Sequence, residues 1–423
     1  LRVPDTAIKL ARVSEFSTLN CALKQMPKRF LQYGAGNIGR SFIGALFARA
    51  GYEVVFTDIR PAIIEALNRE HRYKVVIHDH PPGEFWVEGV RAVDGHNEEA
   101  MIDEIVQCEL MATSLGPRWL PDIFPIIARA LVKRLVAGRP PLDIIIAENL
   151  RHAADVFRDG LRAGLPSGFP LNSYVGLVET SIGKMVPIMP EEIVQREPTL
   201  VYAEAYNTLI LDKKAFKNPL PQVAGLDFKE NIAAYVDRKL FLHNLGHAAC
   251  AYLGHLKQPA LQYVWQLITD KELLEFTRTV MWESALALMS RYPGEFNRDN
   301  LGAYIEDLLR RFANRALGDT VYRLGRDLPR KLSRDDRLIA ALLLDEKMGI
   351  SAPKTALAAA AAFCFKATDE NGELFPADAE FHAALKHRGI DAMLKEVCGL
   401  NPADPMEQRT IDALSQMYKT LNC

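Results

Sequence analysis

From Arg29 onward, short runs of continuous apolar residues alternate with longer stretches of helical apolar period, an order that predicts a largely parallel sheet with covering helices. Arg29–Tyr33 predicts a strand, a glycine turn follows, and residues 38–50 read as a helix of small and apolar residues that Gly51 ends. Residues 52–57 form the next strand pattern, closed by Asp58, so strand, turn, helix and strand make one βαβ unit. Residues 73–79 and 84–94 flank a Pro-Pro-Gly turn and predict an inserted hairpin. Continuous apolar runs at 110–114 and 143–147 predict strands buried on both faces, with a crossover helix over 121–136. A strand pair is expected within 201–211, and beyond Pro221 the pattern is helical almost throughout. Residues 1–25 are only weakly patterned and are expected to be an extension ahead of a start at Met26.

The turn after the first strand reads Gly34-Ala35-Gly36-Asn37-Ile38-Gly39. A glycine triplet alone is weak, but this one follows a strand and opens a helix, the setting in which a backbone can approach a pyrophosphate. Asp58 closes the second strand, placed to accept hydrogen bonds from ribose hydroxyls, which favours NAD over NADP; Arg60, two residues on, softens that preference. The expected fold class is therefore an α/β Rossmann-like dinucleotide-binding domain over 26–212, followed by a mainly α-helical C-terminal domain over 213–423.

The segment 235–254 is apolar enough to be a largely buried helix, yet it carries Lys239, His243, Asn244 and His247. At about 100° per residue, Lys239, His243 and His247 fall within an arc of about 80°. Buried polar groups cost a few kcal/mol each unless paired, so four together predict a polar cavity that faces a ligand. The spacing of His243 and His247 also matches a zinc pair. The base position of a zinc peptidase motif is Asn244, however, and no third ligand is evident, so the expected site holds no metal.

Composition narrows the partners. The 423 residues carry 51 basic and 53 acidic side chains, a net charge of −2, which excludes an electrostatic footprint for nucleic acid or an anionic membrane. No apolar run reaches the roughly 18 residues of a bilayer span. The six cysteines have no framework spacing and read as reduced, separate thiols of a cytoplasmic chain. A small-molecule substrate is the expected partner of a monomer or homodimer.

Lys239-Leu240-Phe241-x-x-Asn244-x-Gly246-His247, together with the 34–40 turn, resembles the polyol-specific long-chain dehydrogenases. Supporting matches are Ala147-Glu148-Asn149, the stretch from Thr113 to Pro117, Ile210 to Lys213 and Arg330 to Leu338; they extend the resemblance over nearly the whole chain from Phe30. The resemblance implies metal-independent hydride transfer between NAD and a polyol or polyol phosphate. It implies Lys239 as general base, Asn149 and Asn244 holding the alkoxide, His247 positioning the reacting oxygen and Thr113 at the cofactor. A hexitol phosphate is the expected substrate, with His243, Arg330 and Lys331 as candidate substrate residues. A free hexitol or a hexuronate is the alternative within the family, and a catalytically silent NAD-binding regulator is the alternative outside it. The chain departs from the family pattern at Ala147, Gly183-Lys184 and Arg315.

Overall fold

A computed structural model describes residues 28–79, 81–187 and 189–421; the expected extension over 1–25 lies outside the described residues. The strands are β1 Arg29–Tyr33, β2 Glu53–Asp58, β3 Arg72–Ile77, β4 Gly83–Glu88, β5 Val90–Asp94, β6 Leu110–Thr113, β7 Leu142–Ile146, β8 Val175–Ser181, β9 Val201–Ala203, β10 Leu209–Asp212 and β11 Leu226–Lys229. The main sheet has the order β11-β10-β8-β7-β6-β1-β2-β5. From β5 to β8 every pairing is parallel, and β10 then runs antiparallel to β8. Counted along the chain, the six parallel strands lie 3-2-1-4-5-6 across the sheet, the doubly wound order whose direction reverses between β1 and β6. That reversal opens a crevice at the carboxyl ends of those two strands, beside the glycine turn.

Two expectations change here. The alternating stretch 84–94 is not one strand of a hairpin. It breaks at Gly89, whose φ of +72° suits glycine, into β4, which pairs antiparallel with β3, and β5, which joins the main sheet beside β2. Residues 201–211 likewise split: β9 pairs with β3 in the small sheet, while β10 pairs with β8 and β11 in the large one. Period-2 alternation specifies a pleated strand but not the sheet that receives it.

The C-terminal region is helical, built around Leu245–Lys257, which is buried from Leu245 to Gly254. Small residues let neighbouring helices approach it. A Cβ on Gly246 would meet Met281 Sδ at 2.8 Å, and one on Gly254 would meet Leu267 Cδ1 at 2.4 Å. The alanine-rich helix Pro353–Ala362 packs against the same core through Ala358, Ala359, Ala361 and Ala362, all buried. No described helix is long and apolar enough to cross a membrane. Cys108, Cys250 and Cys398 are free, as expected, and buried, but Cys364 is disulfide-bonded; spacing along a chain is blind to such a pair.

A fully buried ion pair joins the two regions. Arg311, on helix Arg298–Phe312, donates from Nε and Nη2 to Glu204 at 2.8 and 2.5 Å, with both side chains essentially inaccessible. Arg311 also donates to the Gly183 carbonyl, and Glu204 accepts from the Met185 backbone N–H. Arg311→Met, which strands a buried carboxylate, should cost about 3–5 kcal/mol and lower the urea midpoint. The double variant Arg311→Met/Glu204→Met should recover much of that loss, and equal midpoints for the single variant and the wild type would show that the pair is not holding the regions.

Candidate active site

The three glycines of the 34–39 turn meet three different demands. Gly34 has φ +100°, and a Cβ there would meet the Ser114 carbonyl oxygen at 2.8 Å. Gly39 needs its missing Cβ because the Gly34 carbonyl oxygen lies 2.1 Å from where it would be, which packs the helix start onto β1. A Cβ on Gly36, by contrast, would meet nothing within 4 Å among the described residues. This is the open cradle a pyrophosphate needs, with the helix beginning at Asn37. Thr113 is fully buried at the end of β6, across the switch point from the turn, and Ala35 is fully buried within the turn itself. Asp58 stands at the end of β2. Burial alone would raise its pKa, but hydrogen bonds from Arg60 more than offset this and hold the carboxyl low.

From the turn, a cleft of about 780 Å³ runs between the sheet and the helices, lined among others by Ile38, Ser114, Asn149, Lys184, Lys239, Asn244, Arg330 and Arg337. Lys239 and Asn244 share this wall for a reason that the sequence does not show. The helix Ile232–Arg238 does not run straight into Leu245–Lys257; Lys239–Asn244 between them is a π-turn. Lys239 and Asn244 are the first and last residues of that turn, whose i→i+5 bonding widens the helix locally. The uniform 100° spacing that grouped Lys239 with both histidines therefore does not apply, and neither His243 nor His247 lines the cleft. Both rings lie behind it, 4.9 Å apart and nearly perpendicular, with His247 stacked on Phe312 at 3.7 Å. Burial, and then the neighbouring charges, push both well below the ordinary histidine range, so they are neutral rings. His243 Nδ1 has no hydrogen-bond partner among the described residues, and no group of three or more His, Cys, Asp or Glu in that set could hold a metal ion.

On the cleft wall, Lys239 Nζ donates to Asn149 Oδ1 at 2.8 Å. Burial, reinforced by Arg337 and opposed by Asp336, brings Lys239 down to about 8. An ammonium has only donors, so the amide oxygen of Asn149 must face it and Nδ2 is left to donate elsewhere. Asn149 stands in the segment after β7, and Glu148 before it is buried and straps the opposite loop, accepting from the Leu115 and Gly116 N–H groups at 2.9 and 2.8 Å. Sequence reasoning gave Glu148 no role; its signal was a carboxylate at the buried end of a strand.

The basic stretch 323–337 divides on folding. Arg323 pairs with Asp319, Arg334 with Glu407, and Lys331 is buried with its ammonium on the Leu324 and Arg326 carbonyls, away from the cleft. Of its basic residues only Arg330 and Arg337 line the cleft, beside Asp335 and Asp336; Asp336 bridges them, accepting from Arg330 Nη1 at 3.1 Å and Arg337 Nε at 2.6 Å. Arg337 was not singled out in advance. Arg151, on the cleft wall, donates to Asp237 at 2.9 Å, and Lys184 donates to the Glu204 and Tyr206 carbonyls at 3.0 and 2.6 Å.

Comparison with known families matches residues 28–225 to the mannitol dehydrogenase Rossmann domain and residues 231–418 to the mannitol dehydrogenase C-terminal domain. The chain belongs to the mannitol dehydrogenase family. Membership makes it an NAD-dependent polyol dehydrogenase, in keeping with the open cradle at Gly36. Among solved structures, Pseudomonas fluorescens mannitol 2-dehydrogenase in ternary complex with NAD and D-mannitol superposes with a TM-score of 0.74 at 17% identity, over 95% of this chain and 93% of that one. A D-sorbitol dehydrogenase in substrate-free form gives 0.74 at 16% identity, over 94% and 93%. At such identities these two structures speak for the fold alone. At the family departure Gly183-Lys184, the Lys184 side chain pins the 204–207 loop and the Gly183 backbone carbonyl receives Arg311.

The Lys239–Asn149 contact predicts its own titration. Asn149→Ala removes an acceptor that favours the ammonium, so the Lys239 midpoint, about 8 in the native protein, should fall further. NMR titration of 13C-labelled lysine reads this directly; an unmoved midpoint would mean the bond is absent in solution.

Proposed function

We propose that the chain interconverts a hexitol phosphate and the corresponding ketose phosphate, in the best case D-mannitol 1-phosphate and D-fructose 6-phosphate. The carrying observation is the Lys239–Asn149 hydrogen bond of 2.8 Å in a cleft that Asn244 shares and that continues to the Gly34–Gly39 turn. When bound along that turn, NAD supplies the hydride acceptor. In oxidation, unprotonated Lys239 takes the carbinol proton onto Nζ, while the side-chain N–H groups of Asn149 and Asn244 donate to the oxygen as charge develops on it. Donors so placed are worth about 2.7–4 kcal/mol each in comparable oxyanion sites. His247, neutral and stacked on Phe312, backs the wall and is assigned a positioning role rather than contact with the reacting oxygen.

A phosphate is the finer part of the reading. Arg330 and Arg337 face the cleft, and guanidinium forks suit phosphate oxygens. Lys331 is left out of this role because its ammonium is already bound to two carbonyls. A free hexitol is the second reading, favoured by the hold of Asp327 and Asp336 on Arg330.

Lys239→Ala should lower kcat at least about a hundredfold while leaving NADH binding nearly intact. In the native enzyme, oxidation should rise with pH through about 8 as Lys239 loses its proton, and reduction should fall over the same range. Near-normal turnover in the variant would remove the base from the mechanism, and inactivity of the native enzyme across a hexitol, hexitol phosphate and hexuronate panel would favour a silent regulator.

The substrate panel tests the phosphate separately. kcat/KM for mannitol 1-phosphate should exceed that for mannitol by about a hundredfold, or ~3 kcal/mol, and Arg330→Ala or Arg337→Ala should erase much of the gap. Equal efficiencies would leave the free hexitol.

A further inference from the structure

The carboxylate at the ribose end of the cofactor groove is not bare. Asp58 Oδ1 accepts from the Arg60 backbone N–H at 3.0 Å and from Arg60 Nε at 2.8 Å, and Oδ2 accepts from Nη2 at 2.7 Å. The same Nη2 reaches the Ala35 carbonyl, on the glycine turn, at 3.3 Å. The Asp58 side chain is 7% exposed and that of Arg60 50%, so the surface presents the guanidinium, with the acid behind it. Arg40, whose Nε donates to the Ala35 carbonyl at 2.7 Å, is buried behind the turn and acts on Asp58 as a second positive charge. Two cations therefore flank one anion at the place where dinucleotide-binding folds distinguish a ribose hydroxyl from a 2′-phosphate.

We infer that Arg60 sets cofactor discrimination in this chain and lets it accept a 2′-phosphorylated dinucleotide alongside NAD. Its stem is exposed and flexible, so the fork can swing from Asp58 onto phosphate oxygens, where charge-assisted pairing replaces the carboxylate contact. With NAD, the same fork competes with the ribose hydroxyls for Asp58. Arg60 thus acts on the two cofactors with opposite sign, and specificity follows that difference. This rests on the reading of the 34–39 turn as the dinucleotide site.

Binding of NADH and NADPH to the full chain, read by nicotinamide fluorescence or calorimetry without substrate, tests it. Arg60→Ala should weaken NADPH, leave NADH equal or tighter, and widen the ratio of dissociation constants about tenfold or more. Arg60→Lys, which keeps the charge without the fork, should fall between. Equal weakening of both cofactors, as expected if Arg60 merely stacks on adenine, or an unmoved ratio with NADH binding intact, would overturn the inference. Asp58→Ala separates the two levels of the reading: unchanged NADH affinity there would displace the cofactor site itself.

Discussion

The bidentate pair between Arg311 and Glu204 is the constraint on which the arrangement of the cleft depends. Two ions removed from water carry a desolvation penalty of several kcal/mol each, and only near-ideal geometry repays it. Glu204 belongs to the loop between β9 and β10, Arg311 to a helix of the C-terminal region, and neither can be satisfied unless the two regions meet in one register. The same junction takes in the Gly183 carbonyl, the Met185 amide and, through the Glu204 carbonyl, Lys184. Lys184 is itself a wall of the cleft, so the contact that joins the regions also shapes the space between them.

Within that frame, the site divides its charges by accessibility. Lys239 faces the cleft with one amide oxygen as partner and is brought into a range where it can exchange a proton near neutrality. Lys331, equally cationic in sequence, is spent on two backbone carbonyls. The difference is one of position, not chemistry: one ammonium ends at a wall that a ligand can reach, the other inside a helical turn.

Much of this was legible in the residues. The glycine turn announces itself because its three positions have separate steric demands, and Asp58 closes the next strand where such an acid is useful. Lys239 and Asn244 stood out because an apolar helix has no other use for them. What stayed hidden depended on contacts distant along the chain. The segment 175–181 ends in Glu-Thr-Ser and did not read as a buried strand, yet it is the sixth parallel strand. The stretch 84–94 serves two sheets, breaking at Gly89. Of six basic residues in 323–337, pattern could not tell Arg337, which faces the cleft, from Arg334, held by Glu407.

The π-turn at Lys239–Asn244 also bears on how such a chain can change. A single i→i+5 turn is an α-helix carrying one residue more than its register needs. Substitutions in the turn alter one side chain at a time. Loss of a single residue there would close the bulge and restore the α register through the turn itself, changing how Lys239 and Asn244 meet the cleft. Leu245 to Gly254 fit their neighbours on every side, including the close approaches at Gly246 and Gly254, and because the bulge takes up its extra residue locally they would keep that register. The extra residue therefore belongs to the wall of the cleft and not to the core behind it, and its loss would be felt in the site before it was felt in the packing.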